Sequence, residues 1–214
     1  MTSAIDTATP SHQPARAICG TCQRPQSSCI CRWVAAVASD VEVLILQHPM
    51  EVANAKGSAR LLHLSLSNSR MATGEAYAEA ELRALLSDDR RSVLLYPDTP
   101  AGQTPELAAP APFDPAWMAR PQHLRLVVLD GTWRKSRKML YLNPLLQTLP
   151  RLPLCDTPPS HYLIRKAHRP DQLSTLEACC YALAQLENDA VKFQPLIAAF
   201  DGFVAQQRSY IPAA

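Results

Sequence analysis

The sequence predicts an α/β fold, a mainly parallel sheet with helices on both faces. Three observations carry this. Short apolar runs at 41–46, 92–96 and 124–129 alternate with stretches whose apolar residues recur at helical spacing. No tandem repeat breaks that alternation, which favours strand–helix–strand crossovers. At 214 residues, 47% hydrophobic and 19% charged, the chain is long enough for one well-buried core and ordinary for a globular protein.

Residues 1–17 read as a disordered tail. The stretch is polar, carries Asp6 and Pro10, and lacks both the apolar middle of a signal peptide and the basic character of an organelle presequence. No apolar run approaches membrane-spanning length. A cytoplasmic location is the resulting expectation, and there the seven cysteines stay reduced. Residues 18–34 form a cysteine-rich segment and residues 35–210 the remaining domain. Within that domain, Val41–Leu46 predicts a strand followed by a turn at His48-Pro49. Asn54–Leu66 carries Leu61, Leu62 and Leu64 at helical spacing, with Lys56 and Arg60 near its start. Ala76–Leu86 predicts a second helix, and Ser92–Tyr96 a strand stopped by Pro97. From Pro97 to Pro121 seven prolines mark a long loop, which in a compact domain is more often functional than accidental. Leu124–Leu129 is the most strand-like segment. Trp133–Leu142 predicts a helix ended by Asn143-Pro144. A short strand at Arg151–Leu154 and an extended piece at Tyr162–Ile164 come next. Ser174–Leu186 predicts a helix with Ser174 and Glu177 in capping-box positions, and Val191–Gln207 a closing helix.

Cys19-Gly-Thr-Cys22 and Cys29-Ile-Cys31 place four thiols within a short segment. Two-residue spacing lets one turn present both sulfurs to a metal, and four thiolates complete a closed, structural tetrahedral zinc site. Zinc is preferred to incidental buried cysteine and to a redox dithiol. Arg24 and Arg32 flank the segment, as surface residues or as RNA contacts. Cys155, Cys179 and Cys180 read as small core residues.

The junction after the central strand carries the most chemistry. Asp130-Gly-Thr-Trp133 stands at the carboxyl end of a buried strand, where open α/β sheets put their ligands. Asp130 can serve as base, ribose ligand or helix cap, with Thr132 competing for the cap. Trp133 offers a flat face for a base. Arg134, Lys135, Arg137 and Lys138 are either a solvated face or phosphate contacts. The net charge of +2 says little about partners, so any nucleic-acid argument rests on such clusters. Arg165 and Lys166 precede a helix start and can clamp a phosphate or carboxylate. Ser174 either caps that helix or lies where its N–H groups receive an anion. His48 reads first as a packed or capping residue. With six glycines in total, a glycine-rich phosphate cradle is not expected.

Taken together, these residues resemble the DTW-domain family, the tRNA-uridine aminocarboxypropyltransferases. The resemblance runs through Cys19-x-x-Cys22, Arg24-Pro25, Cys29-x-Cys31, His48-Pro49-x-Glu51, Lys56–Leu62, Asn68-Ser69, Leu95-Tyr96-Pro97, Asp130–Trp133, Lys138-Met139, Ile164–Lys166 and Leu173–Ala178. It implies transfer of the 3-amino-3-carboxypropyl group of S-adenosylmethionine to N3 of a tRNA uridine, on a SPOUT-like fold whose carboxyl half is knotted. On that reading Asp130 is the base and Trp133 the stacking face. The co-substrate lies against Tyr96, Pro97, Leu129, Gly131, Thr132, Leu154, Arg165 and Ser174. Lys56, Arg60, Arg134, Lys135, Lys138 and Lys166 meet RNA, and Cys19, Cys22, Cys29 and Cys31 hold zinc. The partner is tRNA, with no membrane and no obligate protein partner, the chain acting as monomer or homodimer. Two alternatives stay open: a SPOUT-like RNA methyltransferase and a non-catalytic zinc-containing RNA-binding protein.

Overall fold

Strands covered on both faces carry apolar side chains at consecutive positions, and β1 (Glu42–Gln47) and β4 (Leu124–Asp130) are buried along their whole length. The structure, a computed structural model, describes residues 17–98, 110–154, 157–160 and 173–210. With β2 (Ser69–Thr73), β3 (Arg91–Leu95) and β5 (Arg151–Leu152) these strands form one five-stranded sheet in the order β2-β1-β4-β3-β5. Every neighbouring pair is parallel.

Alternate side chains divide the core in two. Val43, Ile45, Leu126, Val128 and Val93 face α1 (Ala59–Ser65), α5 (Thr175–Leu186) and α6 (Gln194–Arg208). Leu44, Leu46, Val127, Leu129 and Leu94 face α2 (Glu79–Leu86), α3 (Trp133–Leu142) and α4 (Pro144–Gln147). The α/β class with helices on both faces is therefore as expected. Cys179 and Cys180 are buried in α5, while Cys155 lies outside the described residues. Among the described residues no helix is long and apolar enough to cross a membrane.

The departures from expectation have local causes. β2 has no apolar run: it is an edge strand whose backbone pairs with β1 while its side chains stay partly exposed. α1 starts only at Ala59, because Asn54 caps its own turn through the Lys56 N–H and the Gly57 N–H closes on the Asn54 carbonyl. α2 starts at Glu79, since the Tyr77 N–H is taken by the Asn143 side chain. β5 ends before Pro153, which has no ladder N–H to give. Of the proline-rich loop, 99–109 lie outside the described residues. Tyr162–Ile164 lie outside them as well, and so does the expected tail as far as Arg16.

The cysteine segment shares the main core through Cys22 and Ile30. Trp33 lies so close over Gly202 of α6 that a Cβ there would collide with the indole. Its ring N–H donates to Gln206, whose amide donates to the Cys29 carbonyl at 3.1 Å. Arg24 does not face outward: it donates to the Gly57 carbonyl at 2.8 Å and lies over the Phe203 ring.

At the amino edge of the sheet, Arg125 of β4 has no exposed surface. Its Nε donates to Glu42 Oε1 at 2.9 Å and its Nη2 to Asp88, while Arg70 also reaches Glu42. Burial resists ionisation of Glu42, but Arg125 and Arg70 outweigh it and hold the carboxyl below its usual range. Burial opposes ionisation of Asp88 too, and the Arg90 N–H and Arg125 outweigh it. Breaking such a group by removing one partner leaves a buried charge uncompensated. Arg125→Met is expected to cost about 3–5 kcal/mol in urea unfolding. Carboxyls depressed on folding add stability above their unfolded values and lose it as pH falls through their folded ones. The wild-type urea midpoint is therefore expected to drop below about pH 4, and Arg125→Met to flatten that drop.

Candidate functional site

All five described strands are parallel, so their carboxyl ends share one edge, the usual place for a ligand in such sheets. Register places Gln47, the last residue of β1, opposite Asp130, the last of β4. Asp130 is 5% exposed, and a carboxylate so deep requires donors. Gln47 Nε2 donates to Oδ2 at 2.9 Å and the Thr175 hydroxyl to Oδ1 at 2.7 Å. The His48 N–H donates to the Asp130 carbonyl at 2.9 Å. Asp130 is thus not the helix cap. Thr132 is: its hydroxyl accepts from the Lys135 N–H at 3.4 Å. Gly131 between them is tightly placed, since a Cβ would lie 3.1 Å from that of Lys135.

The turn then carries the chain to the other face of the sheet. Trp133 stacks on Tyr96, which follows β3, with centroids 5.1 Å apart and planes 14° from parallel. Tyr96 is buried, whereas Trp133 is 56% exposed, so the indole keeps an open side. Behind Tyr96 stands the buried guanidinium of Arg151, 5.5 Å from the ring centroid and bonded to the carbonyls of Leu146 and Gln147. Burial raises the Tyr96 pKa, against the nearby charges of Arg137 and Arg151. Alternation along β4 decides the separation: Val128 and the Asp130 carboxylate face α5, Leu129 the α3 side.

Two further acidic groups line the edge. The Met50 N–H donates to His48 Nδ1 at 3.1 Å, which assigns the ring proton to Nε2, directed at Glu75 Oε1 at 2.9 Å. Lys138 binds the other Glu75 oxygen at 2.9 Å, and these two partners, Lys138 first, hold the Glu75 carboxyl below its usual range. Glu51 receives Lys135 Nζ at 2.8 Å and the Asn54 amide at 2.6 Å.

Of the expected site residues, the edge gathers Tyr96, Asp130, Gly131, Thr132, Trp133, Lys135 and Lys138. Leu129 is buried on the α3 face, Pro97 is exposed and Leu154 packs toward the α5 side. Ser174 is buried, with its hydroxyl spent in a capping box with Glu177, so the helix-cap reading accounts for it. Lys56 and Arg60 follow β1, next to Ser58, whose hydroxyl accepts from the Leu176 N–H at 3.2 Å. Arg134 is exposed. Arg165 and Lys166 lie outside the described residues. Sequence reasoning missed Gln47, Thr175, Glu75 and Arg151. Gln47 and Thr175 were findable: one directly follows a predicted strand and the other follows the cap of a predicted helix.

The four cysteines of the amino-terminal segment converge. Their sulfurs all lie within 4.8 Å of one another, Cys19–Cys31 at 3.6 Å and Cys22–Cys29 at 3.7 Å. Tetrahedral ligands with metal–sulfur bonds of about 2.3 Å stand about 3.8 Å apart, whereas a disulfide needs about 2.05 Å. The geometry fits one metal ion held by four thiolates. Backbone N–H groups of Cys22 and Thr21 bring the Cys19 thiol down to about 6, and burial pushes Cys31 up to about 12.

A family model described as DTW domain matches residues 16–208. The tRNA-uridine aminocarboxypropyltransferase 2 of Mus musculus is 29% identical over 185 residues, 83% of this chain and 59% of the mouse protein. A protein of the same name from Drosophila melanogaster is 29% identical, covering 84% of this chain and 70% of the relative. The tRNA-uridine aminocarboxypropyltransferase A of Arabidopsis thaliana is 25% identical, covering 92% and 83%. The chain thus spans less than two thirds of the mouse relative's length. No solved structure gives a significant match.

Because Thr132 alone caps α3 and does so through a long hydrogen bond, Thr132→Ala is expected to cost about 0.5–1 kcal/mol. Faster hydrogen exchange at the Lys135 amide would accompany the loss; an unchanged exchange rate would remove the cap assignment.

Proposed function

The chain belongs to the DTW-domain family, and on that premise we propose that it transfers the 3-amino-3-carboxypropyl group of S-adenosylmethionine to N3 of a uridine in tRNA. One observation carries the reading. The family match spans the cysteine segment, the Asp130–Trp133 turn and α5 together, and relatives matched over most of this chain are named tRNA-uridine aminocarboxypropyltransferases.

The residues fit the chemistry required of them. Uracil N3 must lose its proton before it can attack, and we assign Asp130 as the base. Gln47 donates to one oxygen of that carboxylate and Thr175 to the other, which aims the group. The open face of Trp133 supplies a platform for a base drawn out of its stack. Carboxylate and indole stand on opposite sides of the strand end, so the reacting nucleotide would cross the edge between them. When bound, the sulfonium donor supplies a carbon activated for substitution. Its cationic sulfur and amino group suit the Asp130 carboxylate, since Glu51 and Glu75 are already paired with Lys135 and Lys138. Tyr96, Pro97, Leu129, Gly131, Thr132 and Leu154 are the described residues we assign to its walls.

Three further assignments belong to the same reading. The four thiolates hold structural zinc, with 18–34 the metal-binding segment and 35–210 the catalytic domain. The carboxyl half is assigned as SPOUT-like on the family resemblance, with α5 packed on the central β4, where Thr175 meets Asp130. The compartment is a reducing one, the cytoplasm, where the thiols stay available to metal.

Nucleoside mass spectrometry of tRNA incubated with the protein and S-adenosylmethionine is expected to show the aminocarboxypropyl adduct, whereas a methyl adduct would select the methyltransferase alternative. Asp130→Asn is expected to lower turnover about 10²–10⁴-fold with tRNA affinity retained. Wild-type turnover per folded molecule would reduce Asp130 to a structural tie between β4 and α5. Protein purified without chelator is expected to carry about one zinc per chain, and a metal content near zero would remove that assignment.

A further inference from the structure

The basic helix α3 is not uniformly basic in function. At about 100° per residue, Trp133, Arg137, Tyr141 and Arg134 fall in one strip about 100° wide, while Lys138 and then Lys135 lie further round the helix. All four strip residues are exposed, Trp133 by 56% and Tyr141 by 54%. Ser136, Met139 and Leu140 form the buried side. The two lysines are committed elsewhere: Lys135 to Glu51 and Lys138 to Glu75, both on the sheet edge. Arg134 and Arg137 make no ion pair among the described residues. Two guanidinium groups without an ion-pair partner among the described residues therefore alternate with two exposed aromatic rings on one face, and the strip begins at the indole beside the candidate site.

Resting on the function proposed above, we infer that Arg134, Arg137 and Tyr141 of this strip engage the RNA strand flanking the nucleotide stacked on Trp133, while Lys135 and Lys138 serve to hold the site's carboxylates. The chemistry selects a nucleic acid over an acidic protein surface. Guanidinium groups pair with phosphates, and every base has a face that stacks on Trp or Tyr. Trp133, Arg137 and Tyr141 succeed one another by a turn each, about 6 Å along the axis, so separate nucleotides can be engaged in sequence. The strip departs from an even basic helix in one testable respect: phosphate contact is confined to the arginines.

The test is filter binding of bulk tRNA to the full chain across a salt series. The charge-reversing pair Arg134→Glu with Arg137→Glu is expected to weaken binding about tenfold or more and to make the slope of log K against log salt shallower by about 1.5. Tyr141→Ala is expected to weaken binding about fivefold or more. A charge-matched control on exposed arginines elsewhere, Arg83→Glu with Arg120→Glu, is expected to leave both quantities at wild type. The pair Lys135→Met with Lys138→Met is expected to keep the wild-type slope. Wild-type affinity and slope in the arginine pair would overturn the inference, as would an equal loss of slope in the lysine pair. Competition by polyglutamate as strong as by tRNA would reduce the strip to a general anion face and overturn the RNA assignment. Binding through the strip without formation of the modified nucleoside would sink the proposed function alone.

Discussion

A buried carboxylate shared by three elements holds the carboxyl edge together. Asp130 is nearly inaccessible, and an ionised carboxyl in that position is tolerable only with donors in place. Among the described residues one donor comes from β1 and one from α5. The clamp therefore fixes the end of β4 against its neighbour and ties the start of α5 beneath the middle of the sheet. The capping box of Ser174 and Glu177 and the Ser58–Leu176 bond reinforce the same helix start. The three residues after Asp130 inherit that precision: Gly131 permits the close turn, Thr132 caps α3, and Trp133 emerges against Tyr96.

The edge has two sides of different character. Toward α5 it is polar, buried and pinned. Toward α3 it is aromatic and open, with Arg151, Tyr96 and Trp133 layered from the interior to the surface. On the edge Glu75 and Glu51 take Lys138 and Lys135 of α3 as ion-pair partners. Such partly exposed pairs contribute little to stability individually. Their consequence is orientation, because they decide which cations of the helix already carry an acidic partner.

The opposite edge and the amino-terminal segment act as scaffold. Arg125 collects Glu42 and Asp88 at the starts of the strands, an arrangement whose desolvation cost is met only while every partner is present. The cysteine segment is packed into the core through Cys22 and Ile30 and fastened to α6 through Trp33 and Gln206. Metal binding there would be coupled to the packing of the carboxyl-terminal helix, since the same segment serves both.

By itself the sequence determined the elements whose signal is local. β1 and β4 are continuous apolar runs, α3 and α5 carry helical periodicity and caps, and the four cysteines have ligand spacing; each of these is legible within a window of a dozen residues. Only the tertiary structure decided the rest. Ser69–Thr73 is a strand because β1 offers it a ladder, which no periodicity in the segment reports. Arg125 is a buried charge in a strand that reads as apolar, made tolerable by Glu42 and by Asp88 from another connection. Asp130 had three chemically sensible roles, and the capping one fell away when Thr132 proved to be the cap and Gln47 and Thr175 proved to hold the carboxylate. Adjacent basic residues on α3 likewise divided by their angle around the helix and by acids far away in the chain. The physical reason is common to all four. Burial pattern is written in nearest neighbours along the chain, whereas the partner of a polar side chain is fixed by strand order and register.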